Sequence, residues 1–437
     1  MTELQPNTAE FFEIKHKSSK SKARTGTLSL VHGKINTPVF MGIGTVGSVK
    51  GLTSHDLIRL NAEIILGNTY HLWLRPGIET IQKAGNLHKF INWQRPMLTD
   101  SGGFQAFSLS KIRQFSEEGV FFKSQVDGKH KFLSPEISMG IQTILGSDIA
   151  LVLDECLPAE VTESIAKDAM DRTYRWAKRS KTEFIKLQQN GINYASINAL
   201  EIAQKEYSIK KVQLQKDRFK SKLGKEKYEL FETTNKFPES TQELDSQFQA
   251  NDYPRYLFGI PQGAQFQKLR QESAKMTMEL DFPGYSIGGV ANGGEPEEIM
   301  YNQVLSQTEI LEEHKPRHLL GVGTPKDIIE MVKRGIDMFD CVYPTRNARH
   351  GSIFVWTDYD KMEYEVLKIQ STRFITDFSV INSNSKLEEL QTYSKAYLNH
   401  LFKTKELLAY RLATLNNLEF YYDLMIKLRQ KIETGEI

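Results

Sequence analysis

Short apolar runs that end in glycine or a carboxylate, separated by stretches of helical spacing, recur along this chain and constrain its fold more than any other feature. EIILGN, PMLTDSGG, DIALVLDEC, YLFGIPQG, GYSIGG, HLLGVG and MFDC are such runs. Between them lie helical stretches with readable starts: SHDLIRLNA behind a Ser54 cap, and SPEISMGIQTILG with Ser134 as cap, Pro135 in the first turn and Glu136 behind it. Strands alternating with helices imply a parallel sheet, and this many units fits a closed (β/α)8 TIM barrel better than an open sheet.

The remainder of the chain divides around that pattern. Residues 1–22 read as a polar, loosely held lead-in without an apolar signal core. GTLSLVHGKINTPVFMGIGTVGSVKG reads as short glycine-punctuated strands, an N-terminal antiparallel β cap over one end of the barrel. FFKSQVDGKHKFL carries an Asp-Gly hairpin signal. The barrel domain is expected over 23–375, interrupted at 181–252 by a charged helical insertion rich in Lys, Glu, Gln and Asn. That insertion is either a solvated excursion from a barrel loop or an arm that meets RNA or another subunit. Residues 376–437 form a C-terminal helical subdomain.

Composition narrows the class of function. Across 437 residues, 56 Lys and Arg face 54 Asp and Glu, so the net charge of +2 advertises no nucleic acid and any RNA binding must come from local patches. The two cysteines, Cys156 and Cys341, each follow a carboxylate at the end of an apolar run; they point to a reduced interior and to the cytoplasm. No apolar run reaches membrane-spanning length.

Asp100, Asp154, Gln262, Gly289, Gly323 and Asp340 all stand at the C-terminal ends of apolar runs, which in a barrel gathers them around one mouth, where barrel active sites are built. Helix capping accounts for one such residue more readily than for six. Three carboxylates repel a phosphate group, and no His-Asp cluster at ligand spacing accompanies them. They suit a planar, donor-rich heterocycle. Asp154 can accept from an amidine-like edge such as that of guanine, Gln262 and the Gly289 N–H can serve its carbonyl, and Phe104 offers a stacking face. Asp100 and Asp340 remain for bond breaking at a glycosidic carbon, one as nucleophile and one as acid/base. Beyond Asp340 the chain turns through Pro344 to Arg346 and Arg349 flanking Asn347, residues suited to gripping phosphate. Read alone, that stretch is equally a capped strand end with a solvated basic loop.

DSGGFQ (Asp100 to Gln105), GNTYHLWLRPG (Gly67 to Gly77), LDEC, GIPQG, GVGTPKD and RGIDMFDCVYPTRNARHG together resemble the queuine tRNA-ribosyltransferase family, the tRNA-guanine transglycosylases of bacterial type. The resemblance covers roughly residues 22–190 and 253–435. It implies exchange of guanine at the wobble position of GUN-anticodon tRNAs, those for Asp, Asn, His and Tyr, for a 7-deazaguanine on the way to queuosine. It also implies roles: Asp340 the nucleophile, Asp100 the proton acceptor, and Asp100, Ser101, Gly102, Gly103, Phe104, Asp154, Gln262 and Gly289 the base-binding residues. Gly321, Val322, Gly323, Thr324, Pro325, Lys326 and Asp327, with Thr345, Arg346, Asn347, Ala348 and Arg349, would meet the anticodon loop. Partners are then tRNA and the free base, with a homodimer left open and no membrane.

Two departures stand out. The family's structural zinc is held by a CxCxxC pattern and a later histidine, whereas the aligned positions here are Ser385, Leu387, Leu390 and Asn416. No zinc and no other cofactor is therefore expected, with Leu and Tyr at helical spacing packing in the metal's place. GGVANGGEP is one residue longer and richer in glycine than the usual GGLAVGEP, so the loop from Val290 to Glu295 is expected to leave room for a bulky substituent on the base. The alternatives are a tRNA-binding subunit without activity, against which the presence of both Asp100 and Asp340 argues, and a barrel enzyme for a small metabolite, against which Arg346 and Arg349 argue.

Overall fold

An antiparallel sheet comes first, β1 (Phe12–Lys17), β2 (Arg24–Leu30) and β3 (Gly33–Thr37). β4 (Val39–Gly44), β5 (Ile65–Gly67) and β6 (Met97–Thr99) follow, then a second antiparallel sheet of β7 (Arg113–Phe115), β8 (Val120–Lys123) and β9 (His130–Leu133). β10 (Ile149–Leu151), β11 (Tyr256–Gly259), β12 (Gly284–Ile287), β13 (Arg317–Leu319) and β14 (Met338–Asp340) complete the set. Strands β4, β5, β6 and β10 to β14 pair in parallel in that order, and β14 returns to β4, closing an eight-stranded barrel. Every residue of these barrel strands is buried, because helices cover the outside while side chains fill the inside. This computed structural model describes residues 11–109, 113–158, 160–238, 255–290 and 297–437.

Several local expectations are corrected. The segment read as a loose lead-in supplies β1, which pairs along β2 and is held by Phe11 stacked on Tyr256 at 3.7 Å between ring centroids. PVFMGIG belongs to the barrel as β4 rather than to the cap; its burial on both faces, not alternation, is the mark of that role. Thr53 rather than Ser54 caps the first helix, because Thr53 accepts from the Asp56 N–H while Asp56 returns a bond to the Thr53 N–H. The polar aromatic stretch after Gly67 is helical at Thr69–Leu72.

The helix Glu163–Asn190 runs unbroken through Lys181, with Phe184 and Leu187 buried, so the shift in composition at 181 marks a charged outer face and not a break. The chain leaves the barrel after Gly191, into a hairpin of helices Tyr194–Lys220 and Lys222–Thr234 capped by Asn193 and Ser221. Its first turns are docked. Ile197 packs on Gly140 of the helix Pro135–Leu145, and Glu201 holds Lys131 Nζ at 3.0 Å and accepts from the Phe132 N–H at 3.3 Å. Further along, Ile202, Ile209 and Phe219 are exposed. Residues 1–10 of the expected lead-in and 239–252 of the expected insertion lie outside the described residues, as do 291–296 of the glycine-rich loop.

After the barrel comes the hairpin β15 (Ser352–Asp358) and β16 (Glu363–Lys368), then helices Glu388–Thr392, Lys395–Lys403 and Leu407–Glu433. The last packs on β4, placing the Tyr421 ring 4.8 Å from that of Phe40. The residues at the family's zinc positions do not fit a metal. Ser385 Oγ donates to Glu419 Oε2 at 2.5 Å, Asn416 Oδ1 accepts from Asn382 Nδ2 at 3.1 Å while its amide donates to the Phe354 carbonyl, and Leu387 and Leu390 are buried apolar side chains.

Candidate active site

The strand ends converge at one mouth of the barrel. β6 stops at Thr99 and delivers Asp100, which the preceding strand's exit grips: Asn68 Nδ2 donates to Oδ2 at 2.5 Å and the Thr69 N–H to Oδ1 at 2.8 Å. Gln105 Nε2, one helical turn further on, donates to Oδ2 at 2.8 Å. Burial raises the Asp100 carboxyl to about 6 against these three donors, with the negative charge of Asp340 adding to the rise. A carboxyl so placed is mostly ionised at neutral pH yet takes and returns a proton readily.

Beyond β10, Asp154 accepts from Ser101 Oγ at 3.1 Å, Cys156 Sγ at 3.3 Å and Gln262 Nε2 at 2.6 Å. Burial pushes its carboxyl above the usual range. Gln262 is held through its backbone, its N–H donating to Ser273 Oγ at 2.9 Å and its carbonyl accepting from Gln307. Its side-chain oxygen lies where a Cβ on Gly289 would be, 2.5 Å from that point, and Gly289 has a φ of +66°, so only glycine fits. The Gly289 carbonyl accepts from Arg270 at 2.6 Å, and among the described residues no hydrogen bond is made by its N–H. Phe104, the second residue of the helix Gly103–Leu109, is 47% exposed.

Asp340 ends β14, nearly buried, with Oδ1 accepting from His318 Nε2 at 2.9 Å and from the Gly321 N–H at 3.3 Å. The stretch after β13 is mostly internal: Val322, Gly323, Pro325 and Asp327 are buried, and Asp327 caps its helix with Thr324 while accepting from Tyr301 at 2.8 Å. Gly321 and Lys326 are exposed and Thr324 partly so. In the following helix, Tyr343–Arg349, Thr345 and Ala348 are buried, Arg346 is exposed, and Asn347 and Arg349 are half-buried. Among the described residues neither arginine is paired with a carboxylate. Burial and the neighbouring Arg346 charge lower the Arg349 guanidinium from its ordinary value.

A match to the family model described as "Queuine tRNA-ribosyltransferase" covers residues 18–224 and 221–437. The chain belongs to the queuine tRNA-ribosyltransferase family. Proteins of that name from Neisseria meningitidis serogroup A and Neisseria gonorrhoeae are 43% and 42% identical over 414 residues, 95% of this chain and 92% of each relative. One from Francisella tularensis subsp. novicida is 42% identical over 416 residues, 95% of this chain and 93% of the relative.

Around these groups stand residues that the sequence does not single out. His318 and Ser286 stand behind Asp340, Asn68, Thr69 and Gln105 around Asp100, and the buried Arg270 behind Gly289. A histidine inside the apolar run HLL was the available signal for the first. Among the described residues, one group has metal-ligand types close together, His32, His88 and Asp148, whose candidate atoms lie within 4.8 Å of one another. It sits at the other end of the barrel. Its imidazoles stack face to face at 3.8 Å, so their lone pairs run side by side rather than converging, and Asp148 is occupied by the His32 ring and by the His32 and Met97 N–H groups. The group is a clasp for the β2–β3 turn.

Proposed function

We propose that this tRNA-guanine transglycosylase of queuosine formation exchanges guanine at the wobble position of GUN-anticodon tRNAs for a 7-deazaguanine, by double displacement through a ribosyl ester on Asp340. The observation that carries the reading is the division of labour among three carboxylates at one mouth, Asp154 and Asp340 buried and Asp100 partly so. Asp154 with Gln262 and Gly289 forms a recognition edge, Asp340 presents an oxygen, and Asp100 is poised to move a proton. Replacing one base by another on the same face of the ribose needs two inversions, hence a covalent intermediate. Asp340 forms a bond to the anomeric carbon, the glycosidic C–N bond breaks, and its electron pair leaves with guanine, which takes a proton.

The electrostatics couple the two steps. Burial, the largest cause, and the Asp340 charge both raise Asp100. Esterification removes that charge, so Asp100 becomes a stronger acid as guanine needs its proton. Regeneration of the Asp340 carboxylate restores the charge and makes Asp100 the better acceptor as the incoming base must lose one. A single carboxyl thus serves both halves.

Exposed Lys326 and Arg346, with half-buried Arg349, are the groups for the anticodon-loop phosphates; the buried members of both stretches shape the backbone that presents them. The target base has to leave the stack to reach this mouth, which a single-stranded loop permits. On the base's substituent side we take the glycine-rich loop to tolerate the cyclopentenediol of queuine as well as a small aminomethyl group. Incubation with tRNA carrying labelled guanine and either base tests the whole reading: both should release label. Absence of release with either base would sink the activity, and queuine inert beside a reactive aminomethyl base would sink the tolerance.

A further inference from the structure

The two oxygens of Asp340 stand in unlike surroundings. Oδ1 is gripped by His318 Nε2 at 2.9 Å and the Gly321 N–H at 3.3 Å, while among the described residues no hydrogen bond reaches Oδ2. His318 is itself fully buried, and its Nδ1 lies 3.0 Å from Ser286 Oγ. Strand register makes this arrangement: Ser286 and His318 are directly opposed across β12 and β13, His318 opposes Met338, and Asp340 lies two residues beyond on the same face.

We propose that His318, locked by Ser286, is a positioning residue that holds Asp340 by one oxygen so that Oδ2 is the atom that bonds the ribose. The proposal rests on Asp340 as nucleophile. A carboxylate can be met here only by an N–H, so the ring proton belongs on Nε2. In the neutral ring Nδ1 is then an acceptor, and the Ser286 hydroxyl donates to it. When Oδ2 supplies the electron pair for the new bond to the anomeric carbon, Oδ1 becomes the carbonyl oxygen of the ester. A carbonyl still accepts from His318 and Gly321, so the grip persists through both displacements and no proton leaves the imidazole. The gain is orientation: a carboxylate free to turn about its own bond presents either oxygen at a wrong angle, and misplacement of about 1 Å costs roughly 100-fold in rate.

The test compares His318→Phe, which fills the space without a donor, with His318→Gln, whose amide places an N–H near the position of Nε2, and with Ser286→Ala. Single-turnover formation of the trapped protein–tRNA adduct is measured for each, alongside KM for tRNA and the melting curve. His318→Phe should form adduct roughly 100-fold more slowly with KM unchanged, His318→Gln should recover most of the loss, and Ser286→Ala should fall between. Adduct forming at the wild-type rate in His318→Phe, or a Gln variant no better than Phe, would leave His318 as packing and overturn the proposal. Should His318→Phe not fold, His318→Asn replaces it, since its shorter amide does not reach Oδ1 and the same ranking against Gln is required. Mapping of the wild-type adduct to a residue other than Asp340 would instead overturn the nucleophile assignment beneath it.

Discussion

At the N-terminal end of the barrel Asp337 meets Arg24 in a two-pronged pair, Nε to Oδ1 at 2.9 Å and NH2 to Oδ2 at 2.6 Å, and takes the Arg317 N–H as well. Asp148, at the same end, is wrapped by His32 and two backbone N–H groups. At the C-terminal end Asp154 and Asp340 are buried and Asp100 partly so, and among the described residues their hydrogen-bond partners are amides, hydroxyls, a thiol, backbone N–H groups and one imidazole, with no arginine or lysine. Burial therefore raises Asp100 and Asp154, because no cation among the described residues is bound to them to offset it. One end uses its carboxylates to tie a β cap to a barrel; the other holds them without a cation, as the proposed chemistry requires.

Substitutions at the two ends should separate activity from stability. The largest effect is expected from Asp340→Asn, which removes the carboxylate proposed to carry the ribosyl ester: turnover should fall by on the order of 10⁴-fold, with no trapped adduct and an unchanged melting curve. Adduct persisting in that variant would take the nucleophile's role from Asp340. At the opposite end, Asp337→Ala leaves Arg24 and Arg317 buried without their shared carboxylate. Arg317 is already lowered to about 10 by burial and then by the Arg24 charge, so there is no slack to absorb the loss. A cost of about 3–5 kcal/mol is expected in urea unfolding, with activity per folded molecule preserved. If Asp337→Ala instead lost activity without losing stability, the division between the ends would be wrong.

A smaller effect concerns pH. Asp100, raised to about 6, must be protonated to help guanine leave and ionised to take a proton from the incoming base. As pH falls through about 6, single-turnover guanine release should quicken, while capture of the second base should slow only at lower pH, because esterification of Asp340 removes the charge that helps to raise Asp100, each by up to roughly tenfold per unit. Asp100→Asn should bind tRNA but show neither dependence. Parallel pH profiles for the two half-reactions would show that one carboxyl does not serve both.

How much of this was legible follows from where each signal lies. Barrel strands announce themselves as apolar runs, and Asp100, Asp154 and Asp340 were visible because a carboxylate ending such a run has little reason to be there except at a mouth. β4 was hidden because Thr37, Pro38 and the preceding alternation made it read as a continuation of the cap hairpin. The start of the insertion was misplaced because one helix face turns charged ten residues before the helix ends. Arg270 and His318 were invisible because a lone polar residue in a helix or strand becomes a support only when distant chain, here Gly288 to Gly289 or Asp340, arrives beside it.

The smallest effect should come from the C-terminal region, where a third kind of buried carboxylate sharpens the comparison. Glu419 on the long helix accepts from Ser385 Oγ at 2.5 Å and from the Lys386 N–H at 2.7 Å, and burial raises its carboxyl as it does those of the mouth. Unlike them it has no ligand to meet, since both oxygens are spent on pinning the loop that other members of the family are expected to hold with zinc. Ser385→Ala removes one neutral donor from a carboxylate that keeps a second, so the expected loss is about 1 kcal/mol in urea unfolding, with catalysis unaffected. Leu387 and Leu390, both buried, should carry the rest of the loop's attachment. Because hydrogen bonds and apolar packing need no metal, a chelator should change neither the melting curve nor the activity, and elemental analysis should find no stoichiometric zinc. One zinc per chain, removable with loss of the fold, would mean that the metal is bound by residues other than Ser385, Leu387, Leu390 and Asn416, and that the Glu419 clasp is a passenger.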